Sequence, residues 1–156
     1  MVLTWPRRSS ASLLDKEYCV GHSERVDTRD LVRAISAAEN ARDWERLAAL
    51  FADQVTVVHP GIGPVVGRAA NVGVIQFIAA AISGYSRTVD HLVVDGESGA
   101  FCFTITGTHT GDLPGNPATG QPVEISGAMF FQASAGQLVA ATELLNHDST
   151  RNLSLR

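Results

Sequence analysis

Three histidines fall within apolar strand patterns, and their placement is the first pointer to chemistry. His59 shares the parity of Val55 and Val57, His91 that of Val89 and Val93, and His109 that of Phe101, Phe103 and Ile105. Alternate residues of a strand point to one face, so each imidazole is expected on the side that carries the core. Taken singly, each reads as a hydrogen-bonded structural side chain. Taken together, they suggest a pocket where a group titrating near neutral pH polarises a carbonyl or shuttles a proton. Three imidazoles can also hold zinc. These lie on three separate strands with no tight ligand spacing, so no metal is expected. No glycine-rich phosphate loop follows a strand, so no organic cofactor is expected either. His22 lies in a stretch without pattern and receives no role.

The elements that must carry these residues follow from the hydrophobic pattern. His109 ends a strand over 100 to 110 and enters the stretch from Gly107 to Gly127, GTHTGDLPGNPATGQPVEISG, whose middle is rich in Gly and Pro. A second strand, from about Pro122 to Gln132, places Val123, Ile125, Met129 and Phe131 on one face and Glu124, Ser126 and Gln132 on the other. Two long strands with polar residues among apolar ones suggest a sheet curved around a pocket. Upstream, Asp27 or Thr28 caps a helix with Asp30 in its first turn, and Leu31, Ile35 and Ala38 form one face. Residues 40 to 43 interrupt it, and Trp44, Leu47, Ala48 and Phe51 mark a second helical segment. Val55 to His59 is a strand closed by Pro60-Gly61, residues 61 to 67 are a loop, and 69 to 82 form a third helix. A strand over 87 to 95 turns at Asp95-Gly96, and Ala135-Gly136 turns into a last strand over 138 to 148. Helices come first and antiparallel strands last, which is an α+β pattern. Residues 1 to 26 have no clear period and read as an extension outside a single domain over 27 to 156.

The totals exclude several classes. The chain has 156 residues, enough for one domain with a substantial core. It is 45% hydrophobic and 18% charged, with a net charge of −4, so neither nucleic acid nor an anionic membrane is an expected partner. No apolar run approaches the length needed to span a bilayer. Cys19 and Cys102 form no disulfide framework and read as free thiols in a reducing cytoplasm.

The loop stretch resembles that of the SnoaL-like polyketide cyclases of the nuclear transport factor two-like superfamily. The matching pieces are Gly107-Thr108-His109-Thr110-Gly111, then Pro117-Ala118-Thr119-Gly120-Gln121, then the hairpin Gly136-Gln137-Leu138. The resemblance spans roughly residues 27 to 148. It implies a cone-like, curved antiparallel sheet covered by N-terminal helices, and a homodimer or homotetramer paired through the sheet surface that carries Thr104, Thr106, Thr108, Glu124, Ser126 and Gln132. In the family an Asp on the last strand, about ten residues after the hairpin Gly, is the acid/base group. Counting from Gly136 reaches Asn146, and Asp148 lies two residues beyond on the same parity. The resemblance thus implies Asp148 as the proton-moving carboxylate, with Asn146 or His109 holding the oxyanion and His59 or His91 assisting. Family members often carry a His where Met129 stands, so Met129 reads as pocket wall with Phe131 and Phe103.

The function implied is a cofactor-independent enzyme that closes a ring on an apolar polyketide or similar natural-product intermediate by an intramolecular aldol-type step. Rival readings stay open. Epoxide hydrolases of the superfamily use an Asp-Arg-Asp set inside the cone, but Arg68 falls at a loop-to-helix junction and Arg87 at the start of a strand, so no inward Arg is expected. Steroid isomerases use a pocket Tyr with acids, and Tyr18 and Tyr85 lie outside the expected strands. A hydroxylase of the SnoaL-like kind is a third enzyme reading. A non-catalytic small-molecule binding protein is favoured by Asn146 and Met129.

Overall fold

The computed structural model describes residues 27–146. Asp27 caps helix α1 (Thr28–Ala41) by accepting from the Arg29 amide at 3.0 Å, as an Asx side chain does at a helix N-terminus. The helix buries Leu31, Val32, Ala38 and Glu39, so an acid sits on its apolar stripe one turn beyond Ile35. Arg42 ends it in the left-handed region, at φ 58°. Asp43 then caps the short helix α2 (Trp44–Ala49).

The strands are β1 (Phe51–His59), β2 (Gly63–Val66), β3 (Ile82–Asp95), β4 (Ser98–His109), β5 (Pro122–Ser134) and β6 (Gln137–Leu145), with helix α3 (Arg68–Ala81) between β2 and β3. They form one six-stranded sheet in the order β2-β1-β6-β5-β4-β3. All neighbours are antiparallel except β1 and β6, which run parallel with Val57 beside Ala141. This is the α+β, curved-sheet architecture expected, with helices first and a strand meander last.

Two boundaries differ from the sequence reading in ways that matter for the site. The expected loop over 61 to 67 contains β2, a short edge strand. More important, α3 runs directly into β3, which begins at Ile82 and not at Arg87. The strand starts within a stretch whose Gly84 has φ 69°, a turn-like signal that obscures it in the sequence. Tyr85 and Arg87 are therefore inside a strand, and both point to the core.

Helix α1 lies along the free edge of β3. The Asn40 side chain accepts from the Arg87 amide at 2.7 Å and donates to the Arg87 carbonyl at 2.9 Å, and Ser36 donates to the same carbonyl at 3.0 Å. Backbone groups at a sheet edge need partners when water is excluded. Asn40 supplies both, and in doing so fixes the backbone from which the Arg87 side chain projects.

Candidate active site

A cavity of about 60 Å³ lies between α1, α3 and the inner face of the sheet. Its walls are mostly apolar: Val32 and Ile35 from α1, Ile75 and Ile78 from α3, and Ile105, Met129 and Phe131 from the sheet. Into this surface project Glu39, His59, Tyr85, Arg87 and Glu143, from four different elements.

The five polar side chains form one connected chain of contacts. Tyr85 donates its hydroxyl to Glu39 Oε1. Glu39 Oε2 lies 3.6 Å from Arg87 Nη1, and Arg87 Nη2 donates to Glu143 Oε1 at 3.2 Å. Glu143 Oε2 is 3.5 Å from His59 Nδ1, and His59 Nε2 is 3.0 Å from Asn71 Oδ1. The guanidinium carbon of Arg87 stands 3.9 Å above the centre of the Phe103 ring, a cation–π contact that gives a desolvated cation a further favourable face. Arg87 is 8% exposed and Glu143 10%, so burial opposes every charge here and only the pairing offsets it.

The electrostatics follow from that arrangement. Burial alone would raise the Glu143 carboxyl, but the Arg87 charge and the contact with His59 outweigh it and hold the group below its ordinary range. Burial alone would lower His59, yet its contacts with Glu143 and Asn71 and the Glu143 charge leave it raised. Tyr85 is pushed well up, first by burial and then by the Glu39 charge. Arg87 is raised despite burial because Glu39 and Glu143 flank it. The cavity therefore presents an ionised carboxylate beside an imidazole that favours its protonated form.

The residues expected from the sequence are distributed differently. His59, Met129 and Phe131 line this cavity. Phe103 lies under Arg87 as the floor of the charge cluster. His91 does not face the pocket: the β3–β4 register shifts between Val89 and His91, and this bulge turns His91 to the exposed side while Leu92 and Val94 face inward. His109 is fully buried but lies outside the cavity lining. Its Nδ1 is 3.3 Å from Thr119 Oγ1, and its backbone closes the neck of the loop with Gly120 and Gln121. Asn146 is exposed just past β6 and donates its amide to the Ser126 carbonyl. Asp148 lies outside the described residues.

Four residues of the cluster had no role in the sequence reading: Glu39, Tyr85, Arg87 and Glu143. The carboxylate that the last strand sends into the cavity is Glu143, which stands opposite Met129 in the β5–β6 register. Its signal was available in the parity Ala141, Glu143, Leu145. Glu39 was equally marked by its spacing of four from Ile35. Arg87 corrects the expectation that no arginine points inward. Among the described residues, no three His, Cys, Asp or Glu side chains gather as metal ligands would, and no helix is long and apolar enough to cross a membrane.

A cone of curved sheet closed by helices over an apolar cavity with a polar cluster defines an α+β domain of the nuclear transport factor two-like type. The chain belongs to the SnoaL-like domain family, whose pattern matches residues 32–141. Its solved neighbours include IdmH of Streptomyces antibioticus, named as a candidate polyketide cyclase, at 25% identity and TM-score 0.68 over 79% of this chain and 94% of that one. A candidate polyketide cyclase of Xanthomonas campestris pv. campestris matches at 25% identity and TM-score 0.69 over 83% and 97%. AclR of Streptomyces galilaeus, named as a candidate hydroxylase, matches at 19% identity and TM-score 0.70 over 83% and 96%. No curated protein matches the chain at a significant level.

Proposed function

We propose that this protein is a cofactor-independent acid–base enzyme that closes a ring on a polyketide or similar apolar intermediate, with Glu143 and His59 as its proton-handling pair. The observation that carries the reading is the approach of Glu143 Oε2 to His59 Nδ1, at 3.5 Å, on an apolar cavity wall. Glu143 would take a proton alpha to a substrate carbonyl. The His59 Nδ1–H would donate to the carbonyl oxygen as it becomes an enolate. The enolate carbon would then attack a second carbonyl of the same molecule, and the proton would return to the new alkoxide. Arg87 spends both terminal nitrogens on Glu39 and Glu143, so its part is to hold Glu143 ionised and both carboxylates in place. The test is proton–deuterium exchange alpha to the carbonyls of aromatic β-dicarbonyl ligands, followed by NMR in D2O. Exchange accelerated by the wild type and not by Glu143→Gln supports the reading; no acceleration by the wild type counts against it.

Epoxide hydrolysis is the second reading, and the inward Arg87 favours it. Glu39, Arg87 and Glu143 repeat the carboxylate–arginine–carboxylate order of the superfamily's epoxide hydrolases with Glu in place of Asp. Incorporation of ¹⁸O from labelled water into a diol product would separate this chemistry from ring closure.

The outer sheet face supports pairing of two copies. Val58, Thr142, Phe130, Ala100 and Val93 are cross-strand neighbours in a row across β1, β6, β5, β4 and β3. Three of them are exposed apolar side chains: Val58, Phe130 at 55% and Val93 at 70%. Three exposed apolar side chains in one cross-strand row are the kind of surface that association covers.

A further inference from the structure

Asn71 is fully buried in the first turn of α3, and its amide has a single orientation that suits its surroundings. Three carbonyl oxygens converge on Nδ2: Gly67 at 2.9 Å, Val65 at 3.1 Å and Val55 at 3.4 Å. A rotated amide would set Oδ1 against these three oxygens and remove every hydrogen bond to them, a costly exchange in a buried site. Oδ1 therefore faces His59 Nε2, at 3.0 Å. An amide oxygen has no proton to give, so Nε2 must carry the hydrogen of that contact. The other ring nitrogen, Nδ1, is the one that faces Glu143 Oε2.

Resting on the acid–base reading above, we propose that Asn71 is a positioning residue: it fixes the hydrogen on His59 Nε2 and confines proton exchange with the cavity to Nδ1. The charged and titratable groups around the ring agree with this. Glu143 of β6 approaches Nδ1, Arg87 of β3 lies beyond that carboxylate, and Glu39 of α1 and Tyr85 of β3 lie one contact further. A neutral ring in this tautomer would turn the Nδ1 lone pair toward a carboxylate, and a proton on Nδ1 relieves that repulsion. The substrate class follows. The site takes a ligand by an acceptor oxygen, a carbonyl that can become an enolate, at Nδ1–H. A ligand offering an N–H or O–H there would compete with the imidazole for Glu143.

The test is two-bond ¹H–¹⁵N correlation NMR of the full chain labelled at histidine, recorded across the pH range where it stays folded. The expected wild-type spectrum shows Nε2 protonated throughout, with Nδ1 titrating above the ordinary imidazole midpoint. Glu143→Gln should keep the Nε2–H form and lower the Nδ1 midpoint by about one to three pH units, as loss of an adjacent opposite charge does. Asn71→Leu should mix the two neutral tautomers; if it fails to fold, the other two spectra decide. A neutral wild-type ring protonated on Nδ1 with Nε2 bare would overturn the proposal. The readout needs no turnover: a fixed Nε2–H form without α-proton exchange would leave the tautomer assignment standing and remove the enzymatic reading.

Discussion

Arg87 Nη2 and Glu143 Oε1 lie 3.2 Å apart, joining β3 to β6 across 56 residues of sequence. Neither strand neighbours the other in the sheet, since β4 and β5 lie between them. The pair bridges the inner face of the curved sheet, and Phe103 of β4 fills the space below the guanidinium. Curvature makes the contact possible, because it brings side chains of strands three places apart within hydrogen-bond reach.

Replacing Glu143 with Gln should remove the base and keep the volume. Positioned proton transfer contributes about 100- to 10,000-fold in rate, so α-proton exchange or ring closure should fall by roughly that factor. Far-UV and near-UV circular dichroism should match the wild type. Full activity in the variant would move the base elsewhere.

Arg87→Met should be far more damaging to stability than a surface charge change. It would leave Glu39 and Glu143 buried without the cation between them, and breaking a buried pair in this way costs about 3–5 kcal/mol. Denaturant unfolding of the variant against the wild type measures it. A loss under about 1 kcal/mol would mean that the cluster is open to water in solution.

Stability should peak at mildly acidic pH. The folded state lowers Glu143 from an unfolded value near 4.5, so its contribution is present above that pH and fades as pH falls toward the folded value. The folded state raises His59 from near 6.5, so its contribution is complete below that pH and fades as pH rises through the folded value. Both act together between about pH 4.5 and 6.5. Melting temperature measured from pH 4 to 9 should fall on both sides of this window, and in Asn71-intact Glu143→Gln the alkaline fall should flatten.

Gly127→Ala should disturb the floor of the cluster. A Cβ at this position would meet the Leu144 carbonyl oxygen and come within 2.5 Å of Phe103 Cζ. A backbone oxygen held in the β5–β6 ladder cannot yield cheaply, so Phe103 must shift from beneath Arg87. Overpacking of this kind costs about 1–3 kcal/mol, measurable by thermal unfolding.

Phe130→Lys should weaken self-association through the outer face without touching the cavity. Sedimentation velocity at micromolar concentration should show the wild type above monomer mass and the variant moved toward it. A monomeric wild type would remove the paired-copy proposal.

The α+β class and most of the elements were legible in the linear chain. Period-two patterns in β4 and β5, the turns at Asp95-Gly96 and Ala135-Gly136, and the capped helix from Asp27 are local signals, and local signals survive in a linear reading. They also placed His59, Met129 and Phe131 on the inner face, because uninterrupted parity propagates along a strand. The polar cluster was not legible in this way, because it forms only when the chain is folded. His91 was lost to a single bulge, which reverses every parity after it. Tyr85 and Arg87 were hidden because the strand begins directly at the end of α3, with no loop to announce it. Glu39 and Glu143 carry parity or helical spacing that marks them as inward, yet an isolated buried acid makes no physical sense until its cation is known. That cation comes from a strand three places away in the sheet, and its distance is set by sheet curvature, which no local pattern encodes.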